Sequence, residues 1–223
     1  ISKIGIMFLK YLCFCLSKHA SSSQRQYATV IEELCHQFSF ADIKESTNNF
    51  NENQIVRHGT LCIVYKGSLQ HNGVTEETVA IKRIYGIPEK LLELFKNEIE
   101  LLCQLRHPNL ITLLGFCDHK DEKIMVYEYM ANGSLHDRLY YRDVKKEPLT
   151  WKHRLKICIG AAHGLHYLHT GAKRTIFHRE ITPRKILLDR NMVAKIADFR
   201  LSLKGPHYAS KPKTKTILKD GFI

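Results

Sequence analysis

Between Pro88 and Leu105 the apolar residues Leu91, Phe95, Leu102 and Leu105 recur at the spacing of one helix face, and Glu98 stands in the middle of that stripe. A carboxylate buried in an apolar surface is costly unless a cation meets it. The chain supplies one just upstream. Val79-Ala80-Ile81-Lys82-Arg83-Ile84 alternates with the period of a strand, which sets Lys82 on one face with Ala80 and Ile84 and makes its ammonium the natural counter-ion for Glu98. Either residue alone reads as a solvated surface charge, because Lys and Glu are seldom buried unpaired. Together they point to a strand and a helix joined by a buried ion pair.

The 223 residues are 44% hydrophobic and 25% charged, which excludes both a disordered chain and a bundle of membrane spans and fits one or two domains. With 34 Lys and Arg against 22 Asp and Glu, the formal charge of +12 allows attraction to phosphates, nucleic acid or an anionic membrane without choosing among them. Seven cysteines, with only Cys13-x-Cys15 closely paired, form neither a disulfide framework nor a metal-type pattern, so a reducing compartment is expected.

Residues 1–20 read as an apolar, membrane-associating segment. Its core from Ile4 to Leu16 is interrupted only by Lys10 and falls short of the roughly 20 residues that span a bilayer. Acylation of Cys13 and Cys15 beside Lys10 and Lys18 would give two-signal anchoring at a membrane surface. Residues 21–37 read as a polar linker and 38–223 as the folded domain. That domain opens with a short amphipathic helix in Phe38–Phe50, then strands at Leu61–Lys66 and Thr78–Ile84 paired antiparallel around an Asn72-Gly73 turn. Pro88 opens the helix that carries Glu98. Strands near Leu110–Phe116 and Ile124–Tyr129 follow, and Thr150 caps a long helix that reaches His169 and stops at Gly171. That last helix has apolar residues on more than one face, the pattern of a helix buried on several sides, and the helices expected to cover it are missing, which predicts an uncovered apolar surface.

Val79-Ala80-Ile81-Lys82 with Glu98 resembles the protein kinase family, where a strand Lys reaches nucleotide phosphates and a helix Glu holds it. Ile176-Phe-His-Arg-Glu-Ile-Thr-Pro-Arg-Lys-Ile-Leu-Leu-Asp189 is similar to the kinase catalytic loop, and Lys195-Ile-Ala-Asp-Phe-Arg200 to its Asp-Phe-Gly metal motif. Phe38-Ser-Phe-Ala-Asp-Ile43, Val126-Tyr-Glu-Tyr-Met130 with Gly133-Ser-Leu135, and Ile159-Gly-Ala-Ala-His-Gly-Leu-His-Tyr-Leu-His169 look like plant receptor-like kinases of the FERONIA type. The resemblance implies an α+β, kinase-like fold with a complete small lobe, an antiparallel sheet plus one helix, and an incomplete helical large lobe truncated within the activation segment. It implies that Gly59, Val64, Ala80, Lys82, Glu128, Met130 and Leu187 bind the nucleotide, that Asp198 holds metal, and that Glu180 is a degenerate catalytic base acting with Lys82 and Glu98. The cofactors so implied are ATP, weakly bound, and Mg²⁺.

The departures from the pattern bear on activity. The Gly-rich phosphate lid keeps only Gly59, with Arg57 and Cys62 where the first and third glycines belong, so backbone amides close less freely over phosphate. Glu180, Thr182 and Lys185 replace the catalytic Asp, the phosphate-stabilising Lys and the metal-binding Asn, and Arg200 replaces the Gly of the metal motif. These changes predict a pseudokinase with residual ATP binding and a signalling or scaffolding role. The expected partners are a nucleotide, other receptor-like kinases and a peripheral membrane contact, not nucleic acid, at the cytoplasmic face of the plasma membrane or in the cytoplasm. The alternatives are a low-activity ATP-dependent Ser/Thr kinase using Glu180 as base, and a nonfunctional truncated relative. Ser202, Tyr208, Ser210, Thr214 and Thr216 are candidate phosphoacceptors.

Overall fold

The computed structural model describes residues 35–59, 61–69, 76–85, 89–140 and 147–205. The N-terminal apolar segment, the Asn72-Gly73 turn, Pro88 and the candidate phosphoacceptors after Ser202 lie outside the described residues. The chain divides into two compact units. The first contains the described residues up to Leu92 with Ile99–Gln104 and Thr112–Tyr129, and the second contains Glu93–Glu98, Leu105–Ile111 and those from Met130 onward.

The first unit is built on a six-stranded sheet of β1 (His36–Gln37), β2 (Ile55–His58), β3 (Cys62–Leu69), β4 (Glu77–Ile84), β5 (Leu113–His119) and β6 (Glu122–Glu128), in spatial order β1-β5-β6-β4-β3-β2. β3 and β4 pair antiparallel with Val64 opposite Lys82, as their alternation predicts. One parity of that alternation makes the core: Tyr65, Leu69, Val79 and Ile81 are buried with Phe38, Ile43, Cys117, Ile124 and Val126. Each such aliphatic or aromatic side chain contributes about 1.5–3 kcal/mol by leaving water.

Helix α1 (Phe40–Ser46) packs its Ile43 into this core and is fixed at both ends by local chemistry. Ser39 Oγ accepts from Asp42 N at 3.1 Å while Asp42 Oδ2 accepts from Ser39 N at 3.3 Å, a reciprocal capping box. At the other end the buried Thr47 hydroxyl donates to Ile43 O at 2.8 Å and accepts from Phe50 N at 3.1 Å. That bridge holds Asn48, Asn49 and Phe50 at positive φ, the turn-rich stretch visible in the sequence.

One strand was hidden in the expected linker. His36 and Gln37 pair in parallel with Gly115 and Phe116, the one parallel pairing in this sheet, and Cys35 and Phe38 on either side are buried. A two-residue strand has too little alternation to be read from sequence. It is possible because Gly115 has no side chain: a Cβ there would lie 2.3 Å from His36 O.

Helix α2 (Glu89–Leu102) carries the interrupted stripe. Phe95, Ile99 and Leu102 are buried, Glu98 is 1% exposed, and Leu105 is buried just past the helix end. The second unit then contains α3 (Leu135–Tyr140), α4 (Trp151–His166), and the two-stranded pairs β7 (Ile176–Phe177) with β10 (Leu203–Lys204) and β8 (Ile186–Leu188) with β9 (Ala194–Ile196). Thr150 Oγ1 accepts from His153 N at 3.2 Å and caps α4 as expected. The helix widens into a π-turn over Tyr167–Gly171 instead of continuing regularly to His169.

Only one face of α4 is covered among the described residues. Ile157 packs with Leu149, Ile186, Leu188 and Ala194, and Gly164 comes so near the 109–111 segment that a Cβ would lie 2.7 Å from Asn109 O. Trp151, Leu155 and Ile159, four residues apart on the opposite side, are 79%, 52% and 49% exposed. This is the uncovered apolar surface expected of a helix that lacks its covering elements.

Candidate functional site

Within the first unit the sheet face opposite the core carries the residues expected to meet a nucleotide. Val64 stands directly across from Lys82, Ala80 lies two residues along β4 on the same face, and Met125 and Tyr127 of β6 stand opposite Lys82 and Ala80. Val64, Ala80 and Lys82 are each half-buried. Gly59 N donates to Cys62 O at 2.8 Å, closing the β2–β3 connection, and a Cβ on Gly59 would lie 2.8 Å from Cys62 Sγ. Glu128 ends β6 with its Oε1 accepting from Thr112 N at 2.7 Å.

The remaining expected site residues belong to the second unit. The Met130 carbonyl accepts from Gly133 N at 3.1 Å in a turn where Gly133 has φ +67°, and Leu188 N donates to Gly133 O at 2.8 Å. A bridge between Ser134 and Leu187 completes that attachment, so Met130 and Leu187 are held by one small backbone network. Glu98 Oε1 accepts from Phe199 N at 3.3 Å. Lys82 and Glu98 thus fall in different units, and what the helix Glu does inside its own unit is to hold the backbone just after Asp198.

The loop from His178 to Lys185 is organised by a buried imidazole. His178 Nε2 lies 3.0 Å from Ala197 O, and Glu180 N donates to His178 Nδ1 at 3.3 Å. A carbonyl can only accept and an N–H can only donate, so the ring is neutral with its proton on Nε2. Burial pushes the His178 pKa down from its ordinary value, outweighing the bond to Ala197, which agrees with that assignment. Phe199, fully buried, meets the ring edge-on at 4.9 Å, and Ser202 Oγ donates to His178 O at 3.4 Å. Ser202 is 2% exposed, which removes it as an accessible phosphoacceptor in this conformation.

This scaffold brings four charges together. Lys185 Nζ donates to Asp198 Oδ2 and lies 3.7 Å from Glu180 Oε2, while Arg200 Nε lies 3.1 Å from Asp198 Oδ1. Asp198 and Lys185 side chains are 16% and 17% exposed. Asp198 and Arg179 both sit at positive φ, near +70°, a conformation that costs a non-glycine residue about 1–3 kcal/mol and persists only where surroundings hold it. Thr182 accepts from Lys185 N through its carbonyl at 2.9 Å, and Ala197 N donates to Lys185 O at 2.8 Å. Among the contacts described, two carboxylates are matched by two cations. A divalent ion of the Mg²⁺ type needs about six oxygen ligands and a surplus of negative charge, and here a cation already faces each oxygen of Asp198. The donor set as placed does not fit that ion.

Asn97 was not anticipated as a site residue. Its Nδ2 donates to the carbonyls of Arg200 and Ser202, each at 3.1 Å, with Phe199 O at 3.5 Å, so it ties down the segment that carries Arg200. Its position directly before Glu98 was the only available signal.

Residues 50–219 match the family described as protein tyrosine and serine/threonine kinase. The chain is 46% identical over 206 residues to the receptor-like protein kinase THESEUS 1, 46% over 189 to FERONIA and 47% over 189 to ANXUR1, all from Arabidopsis thaliana. These alignments cover 92%, 85% and 85% of this chain but only 23%, 20% and 21% of the relatives, so the chain spans less than a quarter of their length. Lys82, Glu98, His178 and the Asp198–Phe199 pair all lie within the matched residues, and the chain belongs to the protein tyrosine and serine/threonine kinase family.

Proposed function

We propose that this chain is a pseudokinase domain that binds ATP weakly and works through protein contacts rather than phosphoryl transfer. The observation that carries the reading is the ion pair of Lys185 with Asp198. Where phosphoryl transfer needs metal-bound oxygens and a mobile positive charge on the transferred group, the cationic residues are committed to the carboxylate. Thr182 supplies no charge to replace them. Glu180 keeps a carboxylate, but its additional methylene displaces the base by about an ångström, and such misplacement costs about 10²-fold. These losses act on one transition state and do not simply multiply.

Val64, Ala80 and Lys82, with Gly59 and Glu128, supply in this reading the apolar and cationic parts of the first unit's nucleotide-binding face, and Met130 and Leu187 are the nucleotide contacts proposed in the second unit. Glu98 supports the reading through its grip on Phe199 N. The names of the relatives support a place beside receptor-like kinases, and the Cys13/Cys15 segment supports contact with a membrane surface. A second reading, a slow Ser/Thr kinase, is favoured by the bond from Glu180 N to His178, which keeps the base's backbone anchored.

The test is transfer of radiolabelled phosphate to a generic protein substrate, run beside a thermal-shift titration with ATP. The expected result is a shift without transfer above the no-enzyme blank. Transfer by the unaltered chain would establish the slow-kinase reading, and the absence of any shift on folded protein would remove nucleotide binding.

A further inference from the structure

The charge cluster around Asp198 is a built feature of the second unit. Three of its members are placed by separate restraints: Lys185 by backbone bonds to Thr182 and Ala197, Asp198 by its neighbours Ala197 and Phe199, both held against the buried His178, and Arg200 by the Asn97 amide on its carbonyl. The two cations approach different oxygens of the same carboxylate. A protonated ammonium and a guanidinium give a metal no ligand, and with one at each oxygen they set positive charge against a second cation arriving at the same carboxylate. A divalent ion would reach Asp198 against the charge of both cations, Lys185 being 17% exposed and Arg200 40% exposed in their ion pairs with it.

We infer that Lys185 and Arg200 are built-in counter-cations that replace the divalent metal at Asp198, so that this chain takes up no metal there and receives a polyphosphate in its metal-free form. The first half of this inference stands on the cluster alone. The second rests on the nucleotide-binding reading above.

The chemistry follows from where the charge resides. In a metal-dependent site a carboxylate recruits the ion and the ion recruits the phosphates. In this chain the carboxylate is already satisfied, and an arriving phosphate meets Lys185 as a fixed donor. Lys185 can then be shared between Asp198 and phosphate, because an ammonium has three donor protons and only Asp198 Oδ2 is within hydrogen-bond distance of it among the described contacts, Glu180 Oε2 lying farther off at 3.7 Å. A free polyphosphate is more strongly anionic than its Mg²⁺ complex and is the better match to such a donor.

Two readouts separate the halves. With the intact chain and no nucleotide, the electron paramagnetic resonance signal of free Mn²⁺ should be undiminished by protein, whereas K185N/R200G should reduce that signal by binding the ion. The ATP-induced thermal shift of the unaltered chain should be at least as large in EDTA as in millimolar Mg²⁺, and the double variant should reverse that order. Circular dichroism checks that the variant is folded; if it is not, K185Q, which keeps a polar side chain one atom shorter and removes its charge, takes its place. Loss of free Mn²⁺ signal with the unaltered chain would overturn the inference, as would an ATP shift that appears only with Mg²⁺. If ATP gives no shift in either medium the nucleotide-binding reading fails, and the Mn²⁺ arm still decides whether Asp198 is closed to metal.

Discussion

The sheet face of the first unit and the loop cluster of the second have diverged from the kinase pattern to different extents. On the sheet, Ala80, Val64 and Lys82 share one face, and the opposite face of the same strands is a closed apolar core. In the loop the framework is equally well kept: His178 is buried and neutral, Phe199 is fully buried, and Glu98 holds its backbone. What differs is the side chains projecting from that framework. Residues that pack are kept in both units, and in the reading proposed above those that would present charge to a transferring phosphate are changed in one. The comparison teaches that a fold and a catalytic apparatus are specified by different side chains on the same backbone, so one can persist without the other.

The largest effect that would sharpen this contrast is restoration of catalysis by changing side chains alone. E180D/T182K/K185N combined with R200G should raise phosphate transfer by about 10²-fold or more over the unaltered chain, since it returns the base, the phosphate cation and an open carboxylate together. E180D by itself should stay at the blank, because the charge on phosphate is still unstabilised. Activity recovered by the single change would show that the loop cluster is not the obstacle. The next effect belongs to the first unit. Gly115→Ala places a methyl against His36 O and should cost about 1–3 kcal/mol in urea unfolding by forcing β1 away from β5. An unchanged midpoint would mean that β1 contributes nothing to that unit.

A smaller effect is expected at the side-chain fork of Arg83. Its Nε donates to Glu122 Oε2 at 2.8 Å, its Nη2 donates to Glu122 Oε1, and the guanidinium lies 4.0 Å over the Phe50 ring. Both charged groups are about a quarter exposed, so solvent screening limits Arg83→Ala to about 1 kcal/mol. The smallest is a slope with pH. Burial lowers the His178 pKa, and burial followed by the neighbouring His163 lowers that of His107. Below the ordinary value of about 6.5 the unfolded chain takes up protons that the native rings refuse. Stability is therefore fully present above that pH and is lost as pH falls through it toward the depressed native values. Melting temperature should decline between about pH 7 and pH 5.5, and a rise over that window would contradict a neutral His178.

Much of the sheet was legible because alternation is a local signal: β3, β4 and the interrupted stripe of α2 can each be read from a few consecutive residues. The Thr150 cap was legible for the same reason. β1 was not, since its partner Gly115 lies far along the chain and two residues carry no period. At the site, the identities of Glu180, Thr182, Lys185 and Arg200 could be read against the family pattern, but their mutual arrangement could not. That Lys185 and Arg200 both turn onto Asp198 depends on a backbone held at positive φ and on Asn97, whose amide reaches residues about a hundred positions away. The uncovered face of α4 was legible as well, because Trp151, Leu155 and Ile159 add an apolar side beyond the one that Ile157 buries.

The central claim is that the chain keeps a nucleotide-binding face while its phosphoryl chemistry is disabled. It is tested most directly by equilibrating the chain with radiolabelled ATP, isolating the complex and identifying the bound nucleotide, in parallel with Lys82→Ala. The account predicts intact ATP on the unaltered chain, no label on the protein itself, and loss of bound nucleotide in the variant. Recovery of ADP with phosphorylated protein, or ATP binding that is indifferent to Lys82, would contradict it.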